Sequence, residues 1–166
     1  MKTDMLIGID IGGTNLAAAK VTDDGRIVHK ASVPVDRTSS TDVLCATIVD
    51  LARSVAGDEE TIKAVGIGFP GLVDNDAGVV IRTPNMPFAN TPFRKVFQNS
   101  WDIPVFMGND ANCAAIGEYW VGAARGCDTA MVITLGTGIG GGLILAYAFH
   151  KSGLDKQMNS NSFTNR

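Results

Sequence analysis

Apolar and polar positions divide the chain into runs of two different periods. Met5–Ile11, Leu16–Thr22 and Arg26–Val35 are rich in aliphatic and β-branched residues, and Gly12-Gly13-Thr14 and Asp23-Asp24-Gly25 separate them. An Asp-Gly pair between two strand-like runs is a hairpin signal, so these three runs predict an antiparallel meander. From Thr41 to Ala56 the period changes. Val43, Leu44, Ala46, Ile48, Val49, Leu51, Ala52 and Val55 recur at helical spacing, with Ser39, Ser40 or Thr41 available as N-cap and Gly57 as the stop. Ala64–Phe69, ending at Pro70-Gly71, predicts a short buried strand. The stretch from Gly71 to Pro92 carries Pro84, Pro87 and Pro92 and predicts one long loop, a length that usually serves a function. Ile103–Met107 predicts another strand. Ala111 to Val121 predicts a helix started by Asn109 or Asp110, with Ala114, Ala115, Ile116, Tyr119 and Trp120 along it and Trp120 in the core. The order βββαβαβα then gives way to two apolar runs, Met131–Leu135 and Leu143–Tyr147, joined by glycines.

Composition narrows the classes. A chain of 166 residues that is 45% hydrophobic matches one domain with a real core. Its net charge of -3 is interspersed, which argues against nucleic acid and against an anionic membrane surface as partners. No signal-type N-terminus and no apolar run near the ~20 residues of a membrane span are present, so a cytoplasmic location is expected. Cys45, Cys113 and Cys127 are widely spaced and read as buried free thiols. Asp58-Glu59-Glu60 reads as a solvated loop, and His29 and His150 carry no evident role.

Chemistry concentrates in two Gly-Thr turns, each after an apolar run: Asp10-Ile11-Gly12-Gly13-Thr14 and Leu135-Gly136-Thr137-Gly138-Ile139-Gly140-Gly141-Gly142. Bare glycine backbone lets an anion approach closely, so such turns suit phosphate. Gly136-x-Gly138-x-x-Gly141 also fits the dinucleotide fingerprint, but that motif needs a following helix, whereas Leu143-Ile144-Leu145 continues as a strand-like run. No glycine is followed by Lys-Ser or Lys-Thr, which excludes a Walker A loop. One turn alone reads as a plain hairpin. Two turns with a carboxylate at a strand-to-helix junction read as a phosphate site.

These turns, together with Gly68-Phe69-Pro70-Gly71, Thr83-Pro84-Asn85 and Asn109-Asp110-Ala111-Asn112, occur in the order seen in bacterial ROK-family sugar kinases. The chain resembles that family from about Met5 to Leu145, with its nearest likeness to the glucokinases. The resemblance implies an α/β, actin-like ATPase (ribonuclease H-like) fold, a mixed sheet with helices in two lobes. Residues 1–121 would form a nearly complete N-terminal sugar-binding lobe and 122–145 the first hairpin of a C-terminal nucleotide-binding lobe. The implied reaction is ATP-dependent phosphorylation of a hexose, glucose to glucose 6-phosphate.

A sugar kinase needs a base near the acceptor hydroxyl, a cation on the phosphates and donors around the transferred group. By resemblance, Asp110 is the catalytic base, and it also suits a helix N-cap. Gly71, Asn85, Asn109 and Asp110 would hold the sugar. Gly12, Gly13 and Thr14 would contact phosphate from one side and Thr137, Gly138, Gly140 and Gly141 from the other. Asp10 would hold magnesium or its water shell, since Mg²⁺ favours one or two carboxylates plus phosphate oxygens. Asn15 stands where many relatives carry Lys.

The family's Glu-x-Gly-His sugar and zinc motif, its Cys-rich zinc loop and its later adenosine glycine motif are missing. Residues 146–166 read instead as an atypical polar tail of a truncated chain. The last two strands would then lack sheet partners, so self-association as a homodimer or larger species is expected. A sugar-binding fragment without catalysis is one alternative. A ROK-type sugar-responsive regulator is the other, although the first strand begins by Met5 and leaves no room for a DNA-binding segment ahead of it.

Overall fold

The computed structural model describes residues 4–57, 62–136 and 138–145. It divides into two compact units, Met1–Asp110 and Ala111–Arg166. In the first, β1 (Met5–Ile11), β2 (Asn15–Thr22) and β3 (Ile27–Pro34) form the expected meander. The β1–β2 ladder runs from Met5 opposite Thr22 to Ile11 opposite Leu16. Alternation places Ile7, Ile9 and Ile11 on the core face of β1. At the β2–β3 turn, Gly25 takes φ +84°, a conformation that favours glycine.

Helix α1 (Thr41–Ala56) starts where Ser40 Oγ accepts the Val43 N–H at 3.4 Å and stops at Gly57, φ +66°. Its buried stripe runs through Leu44, Cys45, Ile48, Leu51, Ala52 and Val55. Lys20 Nζ donates to the Ala56 carbonyl at 2.6 Å, satisfying one of the last acceptors of the helix. β4 (Ile62–Phe69) then lies parallel to β1.

The long loop is the main departure from the sequence reading. β5 (Leu72–Asp74), β6 (Val79–Arg82) and β7 (Ala89–Thr91) make their own three-stranded antiparallel sheet inside it. The cause is a tight turn between Asp74 and Gly78. Asp74 Oδ1 accepts the Ala77 N–H at 2.9 Å, Gly78 supplies φ +71°, and the valines of Val79-Val80 continue as strand. The prolines occupy only the 84–87 turn and the entry to α2 (Phe93–Ser100), a helix after β7 for which the sequence reading named no residues. β8 (Val105–Asn109) pairs parallel with β4, completing a sheet of order β3-β2-β1-β4-β8. Phe69, Phe88 and Phe93 meet edge to face beneath it, and Phe97 stacks on buried Trp101.

Helix α3 (Asp110–Val121) begins at the last residue of the first unit and runs into the second, where β9 (Thr129–Leu135) and β10 (Ile139–Leu145) form an antiparallel hairpin. Only Ala111 and Ala115 of α3 are buried, because Gly140 and Gly142 bring the hairpin backbone right against them. A Cβ at Gly142 would lie 2.5 Å from Ala115 Cβ and 3.1 Å from the Ala111 carbonyl oxygen. The larger side chains of the helix therefore point outward, and Trp120, expected in the core, is 44% exposed. The outer face of the hairpin is apolar and open, with Leu135 79% and Ile139 83% exposed. Among the described residues these two strands have no other sheet partner.

The cysteines also differ from expectation. Cys45 is buried in α1, but Cys113 and Cys127 are exposed. Burial, with help from the Asp42 charge, pushes the Cys45 thiol up to about 11. Residues 58–60, His150, Tyr147 and the 146–166 tail lie outside the described residues. No described helix is long and apolar enough to cross a membrane.

Candidate functional site

Parallel pairing brings three strand ends to one level. Asp10 of β1 is in register with Gly68 of β4, and Gly68 and Phe69 are in register with Gly108 and Asn109 of β8. Asp10, Gly68 and the Asn109-Asp110 step into α3 therefore share the carboxyl edge of the sheet, where open α/β sheets bind ligands. The electrostatics agree with this proximity. Although one side of Asp10 reaches solvent, partial burial raises its carboxyl above the ordinary carboxylate range, and the Asp110 charge adds to the rise. A partly buried Asp10 carboxyl raised beside a second acidic side chain is a donor set that a divalent cation would relieve.

The turn after Asp10 is held from within. The Gly12 N–H donates to the Asn15 carbonyl at 3.0 Å, so it is engaged inside the turn, and a Cβ at Gly12 would sit 2.7 Å from that oxygen. Gly12 is thus a steric requirement. Thr14 O accepts the Val35 N–H at 2.8 Å. The Gly13 carbonyl accepts two bonds from Arg37, through Nε at 3.0 Å and Nη2 at 2.8 Å. Sequence reasoning missed Arg37. Its only signal is position, a lone cation just after β3 and therefore opposite the β1–β2 turn in a meander.

On the other side, Gly71 adopts φ +121°, and a Cβ there would run into the Arg82 carbonyl oxygen. Its own carbonyl accepts the Asn109 Nδ2 donor at 3.1 Å. The two predicted sugar residues are thus directly bonded. Asn85 sits exposed on the 84–87 turn. Thr83 and Thr41 fix that turn, the first donating from Oγ1 to Met86 O at 2.9 Å and the second to Pro87 O at 3.0 Å. Asn75, also missed, staples β5 and β6 to the sheet by accepting the Met107 N–H at 2.9 Å.

In the second unit, the Gly136 N–H donates to Gly138 O at 2.9 Å, closing the other glycine turn. A Cβ at Gly138 would meet open space, whereas one at Gly140 would lie 2.6 Å from Thr134 Oγ1 and 2.8 Å from Ala111 Cβ. Gly140 is accounted for by packing, while Gly138 and Gly141 remain accessible. Thr137 lies outside the described residues.

Residues 6–154 match the sequence model of the ROK family. The chain belongs to the ROK family. Streptomyces coelicolor glucokinase is 40% identical over 143 residues, which cover 85% of this chain and 44% of that protein. The xylose repressor of Caldicellulosiruptor bescii is 28% identical over 144 residues, 84% of this chain and 36% of its own. Among solved structures, the Streptomyces griseus ROK glucokinase in complex with glucose and AMPPNP superposes with a TM-score of 0.73 at 39% identity, covering 86% of this chain and 45% of that one. The fold is accordingly the actin-like, ribonuclease H-like architecture that the motifs implied, and this ROK chain covers its N-terminal portion. It spans less than half the length of the curated glucokinases it matches.

Proposed function

We propose that this chain is the sugar-binding and first phosphate-binding part of an ATP-dependent hexose kinase that converts glucose to glucose 6-phosphate. The observation that carries the reading is the shared strand edge: Asp10, bonded Asn109 and Gly71, and Asp110 stand together beside the Gly12-Gly13-Thr14 turn. Residues 1–121 form the sugar lobe in this reading, and 122–145 open the nucleotide lobe. Asn85, Asn109 and the Gly71 backbone orient the sugar. Asp110 takes the proton of the 6-hydroxyl as that oxygen bonds to the γ-phosphorus of ATP and the bond to the bridging oxygen breaks, releasing ADP. Gly13 and Thr14 supply donors to the phosphates, and Thr137, Gly138 and Gly141 of the second glycine turn are assigned the same role in this reading.

Asp10 would hold Mg²⁺, which the raised carboxyl beside Asp110 fits. When bound, the ion supplies positive charge to the phosphate oxygens. Zinc is not assigned to any residue of the chain. The open apolar hairpin face supports self-association, and a cytoplasmic site of action belongs to the same reading. A sugar-responsive regulator is the second reading, favoured by the similarity to a xylose repressor.

Titration of the ¹⁵N-labelled chain with glucose tests the sugar site. Saturable amide shifts at Gly71, Asn85 and Asn109 are expected. Flat titrations, or equal shifts from glycerol, contradict it. Sugar-dependent binding to duplex DNA would favour the regulator.

A further inference from the structure

Arg37 brings a positive charge to the first glycine turn. It projects from Asp36-Arg37-Thr38-Ser39, a turn locked by its own hydrogen bonds. Asp36 Oδ1 accepts from the Thr38 N–H at 2.9 Å and the Thr38 hydroxyl at 2.6 Å, while Asp36 Oδ2 accepts from Ser39 Oγ at 3.2 Å. Those bonds hold the Asp36 carboxyl below the usual carboxylate range and therefore ionised, yet engaged away from its neighbour. Among the described residues Arg37 forms no ion pair, and it is exposed to solvent.

Its fork instead closes on one oxygen, the Gly13 carbonyl, through Nε and Nη2. A guanidinium has five N–H donors in a rigid plane, so three remain after those two bonds. They are held beside a turn in which the Gly13 and Thr14 N–H groups have no acceptor among the described residues, and Gly12 to Asn15 itself carries no cation. An oriented guanidinium with donors to spare and no ion pair among the described residues, next to open backbone donors, is suited to a phosphate oxyanion, which planar donors bind with both charge and geometry.

We propose that Arg37 is a phosphate-binding residue of the first glycine turn, contributing the turn's positive charge to a polyphosphate chain docked on Gly13 and Thr14. This rests on the phosphate reading of that turn given above. The competing account is a structural latch, in which Arg37 only shapes the turn.

The experiment is a titration of the full ¹⁵N-labelled chain with sodium tripolyphosphate at low ionic strength, for wild type, Arg37→Met and Arg37→Lys. Wild type is expected to show saturable shifts at the Gly13 and Thr14 amides. Arg37→Met should bind about tenfold or more weakly, the loss expected for a charge-assisted contact, while its ligand-free signals from Gly12 to Asn15 stay near wild type. Arg37→Lys, which keeps the charge without the fork, should fall between, and it decides the matter if the Met variant does not fold. Wild-type affinity in either variant, with wild-type shifts still at the turn, overturns the role of Arg37 and leaves the phosphate turn standing. Displaced ligand-free turn signals in Arg37→Met with full binding in Arg37→Lys would establish the latch instead. The absence of any wild-type shift at Gly13 and Thr14 overturns both.

Discussion

Replacing Gly71 by alanine tests the link between backbone strain and the candidate sugar site. At φ +121° an L side chain is strained by about 1–3 kcal/mol, and the new Cβ would meet the Arg82 carbonyl oxygen while standing 3.2 Å from Thr83 Cα. The backbone must shift, which also pulls the Gly71 carbonyl from Asn109 Nδ2, a hydrogen bond worth about 1 kcal/mol. Together these give a loss of about 2–4 kcal/mol, a fall in Tm of roughly 10–20 °C for a unit of this size. Thermal melts followed by far-UV circular dichroism measure it. Gly8→Ala is the control, since a Cβ there meets nothing within 4 Å, and its cost should stay below about 1 kcal/mol. A Gly71→Ala protein that melts with wild type would refute the argument that this backbone conformation demands glycine.

Two further outcomes follow from the same geometry. Gly142→Ala should cost about 1–3 kcal/mol by overpacking against Ala115, and Ala115→Gly in the same chain should restore part of it. Additive losses in a double-mutant cycle by urea denaturation would argue against that contact. Asp10→Asn should stabilise the fold at neutral pH. Because the folded carboxyl is raised, its ionised form opposes folding above that raised value, and the penalty disappears as pH falls through it toward the ordinary range. The variant's advantage in Tm should therefore shrink on acidification, and Mg²⁺ should raise the Tm of wild type more than that of the variant. A pH-independent difference would contradict the raised Asp10 carboxyl, whose main cause is burial.

Much of the fold was legible because period and punctuation agreed. The meander followed from Asp24-Gly25 and from Gly12-Gly13, and α1 from its apolar spacing between Ser40 and Gly57, all with the boundaries seen in the structure to within a residue or two. The 71–92 segment was misread because proline and asparagine density outweighed a hairpin signal, Asp74 to Gly78 between valines. Trp120 was misplaced because helical periodicity finds an apolar face without saying which partner covers it. Two glycines on the partner hairpin selected Ala111 and Ala115 instead. In the candidate site, Asp10, Asn109 and Asp110 were readable from their positions at strand ends. The Asn109–Gly71 bond, the internal use of the Gly12 N–H and the Arg37 fork were not, since each depends on contacts across many residues of sequence.

The most direct test joins residues 1–145 to the matching second half of the Streptomyces coelicolor glucokinase and measures glucose-dependent formation of ADP and glucose 6-phosphate. The account predicts turnover in the chimaera and a loss of about 10²–10⁴-fold on Asp110→Asn with sugar affinity largely kept, the size of a lost general base. A folded, glucose-binding chimaera in which Asp110→Asn turns over at the parent rate would contradict it.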